Sequence, residues 1–427
     1  MLDIKLFREN PDIIKESEKK RGHDIKNVDE VIKLDNELRK LILESDKLKN
    51  KRNIVSEQIN QLKKQGKNIA TKVKEMKKVA DNISKLDDKI RKLREKRDLI
   101  RAKIGNILHK SVPIGKDEND NVEIKKVGKI PKFNFVPKDH IELGKILDLF
   151  DFESGANVSG ARFFYLKNEA AILSLALQRY AIDFLIKKGF NLYWPPLMMK
   201  KHALEGAVNI NEFEDQIYKI QNEDLYLIAT SEHPLVALDM NKILKEKDLP
   251  LKICAYSPCF RKELGSHGRD DKGIYRVHIF NKVEQVIYCK PEKSYDYFNE
   301  LQKNAELLFK ELGIPFRVVN ICSGDLGNKQ ALQYDIEAWM PGQNNGKGAY
   351  REVTSCSNCT DYQSVSLNTK FITKDKKKHY VHMLNNTAIA DRTIIAILEN
   401  FQNKDRSINI PKVLWKYTGF KKIMPKI

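Results

Sequence analysis

Ser257-Pro-Cys-Phe-Arg-Lys-Glu-Leu-Gly-Ser-His-Gly-Arg-Asp-Asp-Lys-Gly-Ile-Tyr-Arg-Val-His-Ile-Phe-Asn-Lys-Val-Glu284 carries more structural information than any other segment of the chain. It begins with turn chemistry at Ser257-Pro258, passes Arg261 and Glu263, and loops through Gly265, Gly268 and Gly273. It closes in an alternating segment. Tyr275, Val277, Ile279 and Val283 share one face, and Arg276, His278, Phe280, Lys282 and Glu284 share the other. Period-two alternation is the pattern of a half-buried strand, so the whole reads as strand, glycine-punctuated loop, strand. Residues two apart on a strand point the same way, so Arg261 and Glu263 should reach one ligand together. The planar fork of an arginine suits a phosphate, and Phe280 offers a flat face for a base. Taken by themselves, these residues leave two readings open: a nucleotide site on an antiparallel sheet, or an ordinary basic hairpin.

The stretch resembles motif 2 of the class II aminoacyl-tRNA synthetases in the form seen in seryl-tRNA synthetases: Phe-Arg-x-Glu, a loop, then Arg-x-His-x-Phe-x-Lys-x-Glu. Those positions are Phe260-Arg261-Lys262-Glu263 and Arg276 through Glu284 here.

At 427 residues the chain is long enough for two domains, and an apolar fraction of 41% suffices for packed cores. A formal charge of +19 points to a polyanionic partner, nucleic acid before membrane, although a lysine-rich composition accounts for part of it. No run of eighteen apolar residues occurs, so no membrane-spanning helix is expected. The charged start, Met1 to Arg8, does not read as a signal peptide, and six cysteines without a disulfide-like framework fit a reducing cytoplasm.

A short amphipathic helix and a break at Gly22 precede a long seam. Val31, Leu34, Leu38, Leu41, Ser45, Leu48, Arg52, Val55, Ile59 and Leu62 follow at alternating steps of three and four, which is a heptad seam. Gly66 is placed to terminate it. The seam resumes as Met76, Val79, Ile83, Leu86, Ile90, Leu93, Arg97, Ile100, Ile104 and Ile107. Two such helices joined by a short turn hide both seams by folding into an antiparallel coiled-coil hairpin with arms of roughly 50 Å at 1.5 Å per residue. Little apolar surface is then left, so the arm should project into solvent. From Gln61 to Ile104 there are 16 Lys and Arg against 6 Asp and Glu. That excess suits RNA backbone contacts; a protein–protein coiled coil is the other reading.

Ser111 to about Pro137 reads as a linker. A helix is expected from about Gly160 to Lys188, ending at Gly189, before a strand that meets Pro195-Pro196. Helix then strand resembles motif 1, the dimer interface of class II enzymes. Leu225 to His233 reads as a buried strand running into Thr230-Ser231-Glu232, which resembles the family's TSE loop and equally suits the N-cap of a helix over Pro234 to Asn241. Tyr334 to Pro341 and Tyr350 to Asp361 read as strands joined by the glycine-rich turn Gly342 to Gly348. Cys356-x-x-Cys359 has no second such pair, and Cys254 and Cys259 are oddly spaced for zinc. Leu384 to Gln402 resembles motif 3, with Asp391 as an N-cap and Arg392 at the N-terminal end of an apolar helix, where phosphate is welcome. One departure stands out: only Asp391 lies between Ala390 and Arg392, where the family usually has two residues. On a helix one missing residue turns a side chain by about 100°. Ile279 stands where the family commonly has Gln, and Gln363-Ser-Val-Ser366 replaces a usual Gln-Ala-Arg-Arg.

The resemblance covers essentially the whole chain. It implies an α+β fold: a class II catalytic domain over 113–427, built on an antiparallel β-sheet flanked by helices, and an N-terminal tRNA-binding domain over 1–112 with the two-helix coiled-coil arm. It further implies a cytoplasmic homodimer that joins L-serine to tRNA(Ser) using ATP and Mg²⁺, the arm gripping the tRNA. Arg261, Glu263 and Arg392 would be catalytic. Serine would be held by Thr230, Ser231, Glu232, Arg261, Glu284, Asn385 and Thr387. ATP would meet Arg261, Lys262, Glu263, Val277, Phe280, Glu352, Val353, Thr354, Ser355 and Arg392, with Glu352 and Ser355 on Mg²⁺. The short motif 3 leaves an alternative, a catalytically impaired relative that retains tRNA binding.

Overall fold

The structure, a computed structural model, describes residues 1–208, 215–263 and 273–426. Gly265 and Gly268 of the motif 2 loop lie outside the described residues. The chain forms two compact units, Met1–Gly105 and Asn106–Ile427.

The first unit is helical: α1 (Ile4–Glu9), α2 (Pro11–Arg21), α3 (Lys26–Lys64) and α4 (Ala70–Arg101). Gly22 caps α2 with a left-handed backbone, and Gly66, with φ +67°, turns the chain between the long helices. The seam is buried at Val31, Leu34, Leu38, Ser45 and Val55 on α3 and at Val79, Ile83 and Leu86 on α4. Its polar interruptions part company. Ser45 donates to Asp87 across the seam at 2.9 Å, whereas Arg52 is exposed, since a two-helix seam is thin enough for a long side chain to reach water. Ile104 and Ile107 lie beyond the end of α4. Near the base, buried Asp35 holds Arg97 at 2.7 Å and Arg8 at 2.7 Å.

The second unit is built on an eight-stranded sheet. In chain order its strands are β1 (Val122–Val127), β2 (Asn191–Tyr193), β3 (Leu251–Phe260), β4 (Ile279–Cys289), β5 (Phe316–Asn320), β6 (Leu332–Met340), β7 (Ala349–Asn358) and β8 (His382–Ala390). They lie in the order β1-β5-β6-β7-β8-β4-β3-β2, antiparallel throughout except for the parallel edge pair β2–β3. Helices α5 (Asn168–Lys187) and α7 (Ser294–Leu312) cover one face, with Leu173, Leu177, Leu301 and Phe309 packed against Val283, Ile287 and Leu384. Between them in sequence lies the short α6 (Glu232–Ala237); α8 (Tyr362–Leu367) and α9 (Arg392–Asn400) follow later.

Four sequence expectations change. The segment expected as linker contains β1, an edge strand that buries neither face and whose register shifts at Ile124, so no clean alternation marks it. The helix expected from Gly160 begins at Asn168, after a separate helix at Phe152–Ser159. The TSE helix starts at Glu232 rather than Pro234. Finally, β4 starts at Ile279, so Tyr275 and Val277 lie in the turn ahead of it.

Candidate active site

Alternation on β4 builds the floor of a cleft. Val283 and Ile287 face the helices, while Phe280, Lys282 and Glu284 face the opposite side and line the cleft. On β8, Asn385 and Thr387 line it too. The register shifts between Thr387 and Ile389, a bulge at Ala388 that reverses the alternation, so Ile389 is core and Ala390 faces the cleft. A second bulge, at Val353 on β7, does the same for Glu352 and Ser355. Three apart, they would point to opposite faces of a regular strand; here both line the cleft.

Arg261 and Glu263 reach the cleft from beyond the end of β3 rather than from the strand. Glu263 has φ +49°, a conformation disfavoured for a residue with a side chain. The Arg261 amide donates to the His278 carbonyl at 2.9 Å, extending the β3–β4 pairing by one step. The Arg261 guanidinium carbon lies 5.1 Å from the centre of the Phe280 ring. Thr230, Glu232, Val277, Val353, Thr354 and Arg392 complete the predicted set that lines the cleft. Two predicted residues do not line it. Ser231 is fully buried with no partner for its hydroxyl among the described residues, and the Lys262 amide donates to the Gln216 carbonyl at 2.9 Å. Nor does Ser231 cap α6 through its side chain; instead Thr230 Oγ1 accepts from the Glu232 amide at 3.1 Å.

Motif 3 is one residue short, yet Arg392 lines the cleft. β8 runs to Ala390, and Asp391 alone turns the chain into α9. Asp391 does not cap α9 with its side chain. Its carboxylate accepts from Ser174 Oγ at 2.6 Å, Gln178 Nε2 at 3.2 Å and the Asn281 amide at 2.7 Å, tying the turn to α5 and β4. Burial nevertheless holds the Asp391 carboxyl above its ordinary range. Arg392 Nε donates to the Tyr275 carbonyl at 3.1 Å, and Nη1 lies 3.3 Å from Glu352 Oε2. The Tyr275 ring stands near both Arg351 and Arg392, with guanidinium carbons 4.3 and 4.4 Å from its centre.

Two ion pairs line the cleft. Lys282 Nζ is 2.5 Å from Glu284 Oε2, and Lys329 Nζ is 2.5 Å from Glu232 Oε1. Thr387 Oγ1 donates to Glu284 at 3.4 Å. Burial would raise the Glu232 carboxyl, but Lys329 overrides it, with help from His233 and Gln363, and holds it down at about 2. For Glu284 burial outweighs the pull of Lys282, so its carboxyl is raised. Burial pushes the neighbouring His233 imidazole down to about 3.

Sequence reasoning passed over Lys329, Gln330, Tyr275 and Ser357, which also line the cleft. Tyr275 was visible in the motif 2 alternation; Lys329 sits in an irregular loop where no periodicity marks it. All six cysteines are buried free thiols, and no three His, Cys, Asp or Glu side chains converge to hold a metal among the described residues.

Comparison with known proteins gives the same picture. Residues 1–108 match the family model described as seryl-tRNA synthetase N-terminal domain, and residues 213–401 match the tRNA synthetase class II core domain (G, H, P, S and T). The serine–tRNA ligase of Pyrococcus horikoshii is 48% identical, over 100% of this chain and 98% of its own length. The crystal structure of seryl-tRNA synthetase from Pyrococcus horikoshii complexed with ATP superposes with a TM-score of 0.91 at 48% identity, covering 100% of both chains. That of the cytoplasmic serine–tRNA ligase of Naegleria fowleri in complex with AMP gives 0.87 at 36% identity, covering 100% of this chain and 99% of the other.

Proposed function

The chain belongs to the seryl-tRNA synthetase family, and from that premise we propose that its cleft activates L-serine with ATP and then passes the seryl group to tRNA(Ser). The observation that carries this reading is convergence. Arg261, Glu263, Phe280, Glu352 and Arg392 share one cleft with Thr230, Glu232, Glu284 and Thr387.

The serine carboxylate is already a nucleophile, so the first step needs no base. An oxygen–phosphorus bond forms at the α-phosphate, pyrophosphate leaves, and the protein's task is positioning and charge stabilisation. Arg261 steadies the α-phosphate, Glu263 meets the nucleotide, Phe280 stacks on adenine, and Arg392 takes the γ-phosphate. Arg392, whose Nη1 lies 3.3 Å from Glu352 Oε2, would exchange that carboxylate for phosphate oxygens. The donor set suits Mg²⁺: Glu352 and Ser355 offer hard oxygens, and two protein ligands leave room for phosphate oxygens and water. Bound there, Mg²⁺ would neutralise phosphate charge. Glu232 receives the serine ammonium, while Glu284 and Thr387 meet its hydroxyl.

Among the described residues no helix is long and apolar enough to cross a membrane. The basic arm is the surface for tRNA(Ser). A second copy of the chain is the partner for the face carrying Leu175, Leu192 and Trp194, which are 65%, 46% and 78% exposed. Light scattering of the purified protein should return twice the mass of one chain. Full-length similarity to serine–tRNA ligases and the place of Arg392 in the cleft favour an active enzyme over an impaired relative. The test is ATP–pyrophosphate exchange with serine, threonine, alanine and glycine. Exchange with serine alone is expected; none with any amino acid, from folded protein, would overturn the reading.

A further inference from the structure

We propose that Lys329 is a positioning residue for the amino acid, orienting Glu232 so that one chosen oxygen meets the substrate ammonium. The proposal rests on the reading of the cleft as a serine site.

Lys329 reaches Glu232 from the connection between β5 and β6, and Gln363 reaches it from α8. Both donate to the same oxygen, Oε1, at 2.5 and 2.9 Å. Gln363 Nε2 also donates to the Ala207 carbonyl at 2.9 Å, which fixes the amide in place. The Thr230 hydroxyl accepts from the Glu232 amide, so the residue is held at its backbone as well. Glu232 Oε2 accepts no hydrogen bond among the described residues, and Glu232 lines the cleft. Two donors on one oxygen leave the other as the acceptor for an incoming N–H.

The pairing is also a matter of charge. The side chains of Lys329 and Glu232 are 16% and 9% exposed, so neither could stand ionised and alone at low cost. The other groups facing Glu232 do not replace Lys329. His233 beside it helps hold Glu232 down only in acid, because burial depresses its imidazole to about 3; Lys282 is bound to Glu284 at 2.5 Å, Glu284 itself repels, and Cys359 is a buried thiol. Without Lys329, burial would drive Glu232 toward its protonated form, which attracts an ammonium weakly. Serine binding, not ATP binding, should therefore depend on this lysine.

The experiment is ATP–pyrophosphate exchange on the full-length protein, with KM for serine and for ATP measured from pH 6 to 8.5. K329M keeps the length and removes the charge. It should raise the serine KM about 10- to 100-fold, the size of one lost charge-assisted hydrogen bond, while the ATP KM stays within about twofold. The increase should grow as pH falls, against a nearly flat profile for the unaltered protein. K329R keeps the cation and should keep the flat profile; it stands in if K329M does not fold. An unchanged serine KM in K329M overturns the proposal, as does a parallel rise in both KM values, or a pH-dependent serine KM in K329R. Absence of serine-dependent exchange in the unaltered protein is a separate failure, that of the serine reading itself.

Discussion

Replacing Asp391 with alanine tests how the shortened motif 3 delivers its arginine. The carboxylate is 6% exposed and accepts three hydrogen bonds, from Ser174, Gln178 and the Asn281 amide. Ser174 and Gln178 are four apart on α5 and so share a face, which makes the carboxylate the link between helix, strand and turn. A hydrogen bond to a charged group contributes about 1.5–3 kcal/mol, so three would sum to about 4.5–9 kcal/mol. Burial works against the carboxylate strongly enough to raise its pKa, and the net loss should be nearer 3 kcal/mol. D391N, which keeps the shape and one acceptor oxygen, should lose about half as much. The functional loss follows from position: Arg392 is the next residue, and a displacement of about 1 Å in a positioning group costs on the order of 100-fold in rate. Urea denaturation measures the first effect and ATP–pyrophosphate exchange the second, with the ATP KM rising more than the serine KM. A D391A variant with an unchanged urea midpoint and unchanged exchange would mean that the carboxylate neither holds the turn nor places Arg392.

Three other outcomes are expected. R261K keeps a charge but loses the fork and its stacking on Phe280, and should lower kcat/KM about 100- to 1000-fold in the exchange assay. D35A takes from Arg97, 7% exposed, one of its two carboxylate partners, Asp98 remaining at 2.9 Å, and should cost about 1.5–3 kcal/mol, read as a lower melting temperature of the helical signal of the full chain. Acid should destabilise the second unit in two stages. The His233 imidazole is depressed to about 3 from 6.5, so the unfolded chain takes up a proton that the folded one refuses, and stability is lost as pH falls from about 6.5 toward 3. The Glu232 carboxyl, depressed to about 2 from 4.5, adds a loss from about 4.5 downward. H233L should remove the first stage, seen as a shallower fall of the urea midpoint between pH 7 and 5.

What the sequence could reveal was whatever period and chemistry write locally. The heptad steps from Val31 to Leu62 mark α3, and the alternation through Phe280, Lys282 and Glu284 marks the floor of the cleft. Gly66 announces its turn because the chain needs a positive φ there. Local pattern fails where the fold breaks its own period. The bulges at Val353 and Ala388 bring Glu352 and Ala390 to the cleft, and nothing in the residue types foretells an extra residue in a ladder. The edge strand at Val122–Val127 hides because lysines and glutamate occupy positions that a central strand would fill with apolar groups. Asp391 looks like a helix cap, but its carboxylate is claimed by Ser174, Gln178 and Asn281, far away in sequence. Lys329 is the extreme case: its meaning lies in Glu232, which packs against it from another element.

The most direct test of the cleft as a serine-activating site is calorimetric binding of a non-hydrolysable seryl-adenylate analogue beside its alanyl counterpart. Glu284 and Thr387 should leave a costly unpaired polar group against alanine, so the seryl compound should bind at least about 100-fold more tightly. Equal Kd values for the two would mean that the cleft does not recognise the serine hydroxyl.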